Sequence, residues 1–298
     1  MNGRSAPLSA SAKITSSRWR WPSFWALVAI PAVLFLLVAF VFPMMAIVQR
    51  SLDSPAPGEF YLALLQEPIY QRQLLRTLMV STVVTLLCLI VGYPYAYAMA
   101  RGGPRLRAFL GGMLLLSFWT SLLVRTFAWG VILNDTGLIN TLLLELGVIE
   151  QPLQLVRNLF GVFVGMVHIQ APLMILGIFA SLRGVDAELE RAAQSLGARP
   201  LSAFWRITVP LSLPGVAAGG VLVFVLSLGF YLTPQLLGGT GDVMIAQSIV
   251  LEVQRYLEPG MGAALGISLI LLVLIVLGLA SRFVGIGRIL GLTEGKPE

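Results

Sequence analysis

The sequence predicts an all-α membrane protein with six transmembrane helices, both termini in the cytoplasm, and a helix-turn-helix loop between the fourth and fifth spans. The 298 residues are 57% hydrophobic and only 11% charged, with a mean hydropathy of +0.87. A soluble domain carries about 25% charged residues, so lipid must cover most of this surface. Six apolar stretches are long enough to cross a bilayer, and Lys and Arg concentrate in alternate connections.

The six spans follow from the roughly 20 apolar residues that a helix needs to cross a bilayer core. In chain order they cover residues 24–48, 77–100, 108–133, 159–182, 214–237 and 261–281. Residues 1–23 are then a basic N-terminal arm, 24–285 the transmembrane domain and 286–298 a C-terminal tail. The first apolar run has 25 residues, longer than the 7–15 or so of a signal peptide core, so we expect it to stay as an anchor.

Lys and Arg set the orientation, because they are retained on the cytoplasmic side of short connections. With a cytoplasmic N-terminus, 14 of the 20 Lys and Arg residues fall on the cytoplasmic side and five on the other, while Arg125 lies within the third span. Nine of the 14 Asp and Glu residues lie outside. Both termini are therefore predicted in the cytoplasm.

The first half of the cytoplasmic loop, residues 183–213, reads as a short capped helix. Asp186 is placed to cap its start, and Glu188 and Glu190 would lie in the first turn, where the helix dipole favours acids. Gly197 is placed to end it in a left-handed conformation. These signals predict a helix of about two to three turns that stops at a tight turn.

The second half of the loop predicts another short helix, residues 201–207. Pro200 suits its first turn, and Pro210 and Pro214 are expected to stop it before the fifth span begins. The predicted helix-turn-helix presents a small apolar surface, formed by Ala192, Ala193, Leu196, Ala198, Leu201, Phe204 and Trp205. Such a surface suits docking into another protein's groove; the alternative is an amphipathic loop that lies on lipid headgroups.

The loop carries a family resemblance in the motifs RAAQSLGA at 191–198, ITVP at 207–210 and LPG at 213–215. These resemble the EAA loop of bacterial ABC importer permeases (MetI-like), whose pattern is E-A-A-x-x-x-G with a later I-x-L-P. Arg191 stands where that pattern has glutamate, with Glu190 one place earlier, and Val209 replaces leucine. The resemblance implies that the loop docks into an ATPase subunit and transmits its closure, through Glu190, Arg191, Ala192, Ala193, Leu196, Gly197, Ala198 and Pro210.

Three further motifs are similar to the spermidine/putrescine-type branch of these permeases: GYPYAY at 92–97, RTFAW at 125–129 and SLGFYLTP at 227–234. The resemblance implies a permease subunit of a binding-protein-dependent importer in the bacterial inner membrane, forming the path for a small, amine-bearing, polyamine-like solute. Its implied partners are an ATPase subunit dimer, a second permease subunit, a periplasmic or extracellular substrate-binding protein, and the lipid bilayer. The second permease is a different homologous chain or, as the alternative, a second copy of this one. ATP and Mg would bind the ATPase; neither a cofactor on this chain nor a nucleic acid partner is expected.

Polar and aromatic residues inside the spans are candidates for the translocation path: Trp119, Thr120, His168, Gln170, Phe230, Tyr231 and Thr233. The alternatives are helix–helix hydrogen bonds for His168 and Gln170 and an interfacial aromatic belt for most of the rings. Pro172 favours a path, because broken helices near the membrane centre often hold transport sites. Arg125 is better suited to a structural role, holding loop carbonyls or an acid such as Asp135.

A stand-alone secondary transporter or channel is the rival function. The six spans contain no Asp or Glu to carry a proton or sodium ion, and six helices are few for a complete path. The sequence also lacks G-x-x-x-x-G-K-[ST], H-E-x-x-H and G-x-S-x-G, and it has one histidine and one cysteine. An ATPase, a protease, a hydrolase or a zinc site on this chain is therefore not expected.

Overall fold

The structure is a computed structural model that describes residues 24–53 and 58–284. The predicted arm 1–23 and tail 286–298 lie outside the described residues. Within those ranges the chain is helical and has no strand. The helices are α1 (Phe24–Leu52), α2 (Glu59–Gln66), α3 (Pro68–Arg101), α4 (Pro104–Trp119), α5 (Leu122–Ile132), α6 (Leu138–Glu145), α7 (Leu159–Arg183), α8 (Ala187–Ser195), α9 (Pro200–Ala203), a π-helical turn (Phe204–Thr208), α10 (Val209–Leu228), α11 (Leu232–Leu237), α12 (Ile245–Gln254) and α13 (Pro259–Val284).

Residues up to 46 and residues from 47 onward form two compact units. In the described part of the first unit, helix α1 runs through Pro31 and Pro43 without interruption. Its large apolar side chains from Ile30 to Phe42 are exposed, as suits a helix that lies in lipid.

Five stretches in the described residues are long and apolar enough to span a membrane: Ala29–Leu52, Pro68–Arg101, Leu159–Arg183, Pro200–Leu228 and Pro259–Ser281. A sixth candidate is the pair α4 and α5, which are bent by 98° relative to each other. The structure therefore has five to six candidate spans, as the sequence predicts.

The prediction of one continuous third span over 108–133 is wrong, because the helix breaks between Trp119 and Leu122. Thr120 and Ser121 are extended, with ψ of 129° and 138°. The Thr120 hydroxyl donates to the Leu116 carbonyl at 3.0 Å. The bond satisfies one of the last carbonyls of α4, where the helical ladder stops.

The segment that contains the bent pair, residues 104–158, connects opposite ends of the helix bundle. Arg101, the last residue of α3, donates from Nη1 to the Val185 carbonyl just beyond the end of α7, at 2.9 Å. Earlier along both helices the Cys88 thiol donates to the Val167 carbonyl, so α3 and α7 run parallel and end together. Since α4 begins where α3 ends and α7 begins at the opposite end, residues 104–158 supply a crossing between them.

The sequence predicts that Pro210 and Pro214 stop the short helix before the fifth span. This prediction is wrong, because the helix continues from Pro200 to Leu228. The π-helical turn explains the continuity. The Val209 N–H bonds to the Phe204 carbonyl five residues earlier, and this wider turn makes room for the ring of Pro210 directly after it.

The predicted fifth span also ends too late, because α10 stops at Leu228 instead of continuing to 237. The chain breaks at Gly229–Tyr231 and restarts as α11. The restart places Pro234 in the first turn of a new helix, where its missing N–H has no intrahelical partner to lose. A continuous helix would have lost a ladder hydrogen bond there.

Helices α3, α7 and α10 form the core, which is packed from buried apolar side chains that include Val84, Cys88, Met174, Ile178 and Val223. Helices α7 and α10 cross closely at glycines. A Cβ added at Gly215 would lie 2.5 Å from the Gly177 carbonyl oxygen. The core therefore depends on backbone-to-backbone contact at this crossing.

Candidate functional site

The predicted helix-turn-helix is a protruding loop, residues 186–205, with well-defined caps. The Asp186 carboxylate accepts a hydrogen bond from the Glu188 N–H at 2.9 Å, which confirms the predicted cap. Gly197 has φ +91°, as predicted. Its N–H donates to the Gln194 carbonyl at 2.9 Å, and the Ala198 N–H donates to the Ala193 carbonyl at 3.0 Å. This pair of bonds is a Schellman motif, so the turn is set by local backbone geometry.

The turn presents an exposed apolar tip, which we define as Leu196, Leu201 and Trp205. Leu196 is 89% exposed, and Leu201 and Trp205, four residues apart on one helix face, are also exposed. Arg191 and Ala192 are exposed as well, whereas Ala193 and Ala198 are half-buried. The tip therefore offers apolar surface that nothing in the described chain covers.

Glu190 points inward from α8, away from the exposed residues of the loop. Its carboxylate accepts from the Tyr97 hydroxyl at 3.2 Å, from Arg101 Nη2 at 3.4 Å and from the Thr208 hydroxyl. The Glu190 side chain is only 14% exposed. We call these four residues the Glu190 cluster; it joins α8 to the end of α3 and to the π-helical turn.

An aromatic contact lies beside the Glu190 cluster. The ring of Phe204 packs edge-on against Tyr93 and Tyr97, with centroids 5.7 and 5.3 Å away. The Tyr93 and Ser212 hydroxyls lie 2.8 Å apart. Pro210 is exposed on α10 between these contacts. The root of the loop is thus fixed to α3 by both polar and aromatic contacts.

Four of the predicted path residues lie at the two helix breaks. Trp119, at the end of α4, is 89% exposed, and Thr120 beside it is also exposed. At the second break Tyr231 is exposed, while Phe230 is half-buried against the core. The two short helices that follow the breaks, α5 and α11, pack against each other.

Thr233 is fully buried between those short helices. Its hydroxyl lies 3.2 Å from the Thr126 hydroxyl. On α7, Gln170 is also buried, and its Oε1 accepts from the Ser227 hydroxyl at 3.1 Å. Both side chains hold helices of this chain together in the conformation described, and as path residues they stay predictions.

His168 faces a different side of α7 from Gln170. Its Nδ1 accepts from Trp129 Nε1 at 3.0 Å, and the two rings meet edge to face. Both rings line an apolar cavity of about 730 Å³ among α3, α4, α5 and α7, together with Leu87, Val91, Tyr95, Met113, Leu114, Ser117, Phe160, Phe163, Val164, Val167, Ala171, Pro172 and Ile175. The structure therefore separates the two polar residues that the sequence groups.

Arg125 contacts a hydroxyl instead of a loop carbonyl or an acid such as Asp135, the two kinds of partner that the sequence predicts. Its Nη1 donates to Ser117 Oγ at 3.3 Å, and it forms no ion pair among the described residues. Sequence reasoning missed Trp129 as the partner of His168 and Tyr97 and Arg101 as partners of Glu190. A spacing of four residues places two side chains on one helix face. This spacing relates Trp129 to Arg125 and Arg101 to Tyr97. No group of His, Cys, Asp or Glu that could hold a metal occurs in the described ranges.

Comparison with known proteins gives consistent matches over most of the chain. Residues 92–284 match the family described as binding-protein-dependent transport system inner membrane component. The spermidine/putrescine transport system permease protein PotB of Escherichia coli is 34% identical over 221 residues, covering 73% of this chain and 80% of PotB. PotB of Haemophilus influenzae is 31% identical over 210 residues, 70% and 73% of the two chains. The molybdenum transport system permease protein ModB of Mycobacterium bovis is 31% identical over 242 residues, 80% and 88%.

Two solved structures share the fold. A bacterial ABC transporter involved in the import of the acidic polysaccharide alginate superposes with a TM-score of 0.68 at 18% identity, covering 87% of this chain and 95% of that chain. The MetNI methionine ABC transporter, in inward-facing conformations, gives 0.55 at 16% identity, covering 74% and 97%. At these identities the likeness describes the architecture alone.

Proposed function

Because the chain belongs to the family of inner membrane components of binding-protein-dependent transport systems, the permease subunits of ABC importers, we propose that it couples to an ATPase through loop 183–213 and carries a polyamine-like solute. The observation that carries the coupling proposal is the exposed apolar tip on a capped helix-turn-helix. The tip is held out by the Schellman turn at Gly197. In this proposal the chain forms one of the two membrane halves of the importer.

The exposed side chains of α8 favour docking into a protein groove, and not the alternative that the loop lies on lipid headgroups. The inward face of α8 holds Glu190, which is tied to α3 and the π-helical turn. The exposed side chains of α8 include the Arg191–Glu188 ion pair, at 2.7 Å, and the small Ala192. Leu189 is the one bulky apolar side chain exposed on α8 itself, and it lies among charged and small residues. So small an apolar surface suits a protein groove better than a bilayer.

The proposed topology has six crossings with both termini in the cytoplasm. Long-range polar pairs support it, because each joins residues that the charge pattern assigns to the same side. Arg101 and Glu190, both assigned inside, lie 3.4 Å apart. Arg76 and Asp242, both assigned outside, lie 3.4 Å apart. The crossing made by α4 and α5 brings the number of spans to six.

The proposed solute is a polyamine-like cation. The PotB relatives, named for spermidine and putrescine, support it, as do exposed Trp119 and Tyr231 at the two breaks, because aromatic faces attract ammonium groups. The proposed path residues are Trp119, Thr120, His168, Gln170, Phe230, Tyr231 and Thr233. ModB, which is named for molybdenum, is comparably similar in percentage identity. A transport assay should therefore compare a polyamine with an anionic solute.

The proposed assembly contains an ATPase dimer that binds ATP and Mg, a second and different permease, and an external substrate-binding protein. One of the alginate transporter structures is described as a complex with a substrate-bound periplasmic protein, which supports this kind of assembly for the fold. The chain's own six spans, with an exposed tip and exposed helix breaks, leave surface for such partners.

Reconstitution tests this function. A tagged chain is purified in mild detergent, the co-purifying subunits are identified, and the complex is placed in liposomes with its binding protein. We expect uptake of labelled spermidine only with ATP, and no competition by molybdate. Uptake by the purified chain alone, driven by an ion gradient, would support a secondary transporter instead.

A further inference from the structure

We infer that the Glu190 cluster is a clamp that fastens helix α8 to spans α3 and α10 together, so that displacement of the loop moves both spans at once. The inference rests on the proposed coupling function, and it assigns Glu190 the role of a positioning residue. It differs from docking, which uses the outward side of the same loop.

The geometry of the clamp is a single carboxylate with donors from two different spans. Tyr97 and Arg101 come from the last two turns of α3, and Thr208 comes from the π-helical turn that leads into α10. Thr208 is fully buried. Arg101 also donates to the Val185 carbonyl after α7, at 2.9 Å, so the ends of three core helices meet at this point.

Burial makes this contact hard to open. The Glu190 and Arg101 side chains are 14% and 18% exposed, and hydrogen bonds to charged groups strengthen when water is excluded. Opening the clamp would leave a shielded carboxylate without partners, which is costly. A loop movement is therefore passed to the spans rather than absorbed at its root.

A second contact couples α10 to α3 beside the clamp. Phe204 lies edge-on to Tyr93 and Tyr97, and the Tyr93 hydroxyl reaches Ser212 on α10 at 2.8 Å. Tyr97 takes part in both contacts, through its ring and its hydroxyl. The clamp thus acts on two helices that are already joined along one face.

Glu188 offers a matched control on the same helix. Its carboxylate pairs with Arg191, which is on α8 as well, and both side chains are mostly exposed. It contacts no span through a hydrogen bond in the described structure. Glu188→Gln and Glu190→Gln thus remove the same charge from one helix, once outside the clamp and once inside it.

The test measures ATPase-subunit binding and the number of solute molecules transported per ATP hydrolysed, in the reconstituted complex. For Glu190→Gln we expect binding within about twofold of the wild type and a transport-to-ATP ratio lowered roughly tenfold, which corresponds to about 1.4 kcal/mol. Glu188→Gln changes the outward face that is proposed to dock, so it should affect subunit binding at most and leave the transport-to-ATP ratio unchanged. A purely structural role for Glu190 would lower the amount of complex without changing this ratio.

A milder variant keeps the test decisive if Glu190→Gln is not recovered from the membrane. Tyr97→Phe removes one neutral donor and keeps the ring against Phe204, so we expect a ratio lowered roughly threefold. A wild-type ratio in the recovered variants would overturn the clamp, and so would weaker subunit binding with an unchanged ratio. A wild-type chain that binds no ATPase would instead refute the proposed function itself.

Discussion

At the scale of single residues, Gly197 is the position where backbone conformation alone decides the shape of the loop. Its φ of +91° lies in the region that side chains disfavour, yet nothing lies within 4 Å of an added Cβ. A substitution there meets strain without a clash. The loop's shape can therefore be perturbed without disturbing its packing.

We predict that Gly197→Ala weakens docking of the ATPase by roughly 5- to 30-fold, since a left-handed non-glycine residue costs about 1–2 kcal/mol. The affinity of the ATPase subunit for the detergent-solubilised chain checks this. Gly103→Ala is the control, because Gly103 has φ −63° and equally open surroundings. Equal affinities for the two variants would show that the left-handed turn is not needed.

Residues differ in how far the sequence alone can predict their roles. The Asp186 cap and the Gly197 turn were predictable because their hydrogen bonds span at most five residues along the chain. The partners of Glu190 are 18 to 93 residues away, and no local pattern marks a contact of that kind. Its inward orientation emerges only when α3, α8 and the π-helical turn are packed together.

At the scale of helices, apolar length predicted where the chain crosses the membrane but not where the helices break. The breaks occupy only two or three residues, Thr120–Ser121 and Gly229–Tyr231, inside long apolar stretches. Hydropathy averaged over about 20 residues therefore gives no sign of an interruption. At the π-helical turn the error is the reverse: the sequence signals a stop, and the helix continues. Proline signals a stop in most helices, and here a local change of ladder register lets the helix continue.

Close packing of α7 on α10 leads to a stability prediction. A Cβ at Gly215 would clash with the Ser181 Cβ and would lie 2.5 Å from the Gly177 carbonyl oxygen. Gly215→Ala should therefore destabilise the protein by about 1–3 kcal/mol and lower its thermal unfolding midpoint in detergent. Gly220→Ala on the same helix, with its nearest neighbour at 3.9 Å, should not. An unchanged midpoint for Gly215→Ala would argue against the crossing described.

Thiol labelling tests whether the two helix breaks border the path. In a Cys88→Ser background, Trp119→Cys and Tyr231→Cys should react with a water-soluble maleimide, at rates that change when the partner ATPase hydrolyses ATP. Leu274→Cys, exposed on α13, should stay unreactive in lipid in both states. Equal, ATP-independent labelling at all three positions would place the path elsewhere.

At the scale of the whole molecule, the proposed function requires a partner that binds the apolar tip. Leu196 follows the last residue of α8, and Leu146 follows the last residue of α6, so they occupy equivalent positions at two helix ends. Both are highly exposed. In the proposed topology Leu196 faces the cytoplasm and Leu146 the outside.

Cross-linking from these two positions is the most direct test of the central claim, that loop 183–213 docks on the ATPase. Leu196→Cys and Leu146→Cys are prepared separately in a Cys88→Ser background and treated in membranes with a short thiol cross-linker. We predict that Leu196→Cys gives one product with the ATPase subunit, in a yield that depends on nucleotide, and that Leu146→Cys gives none. A product from Leu146→Cys, or no ATPase product from Leu196→Cys in a complex that still transports, would contradict the account.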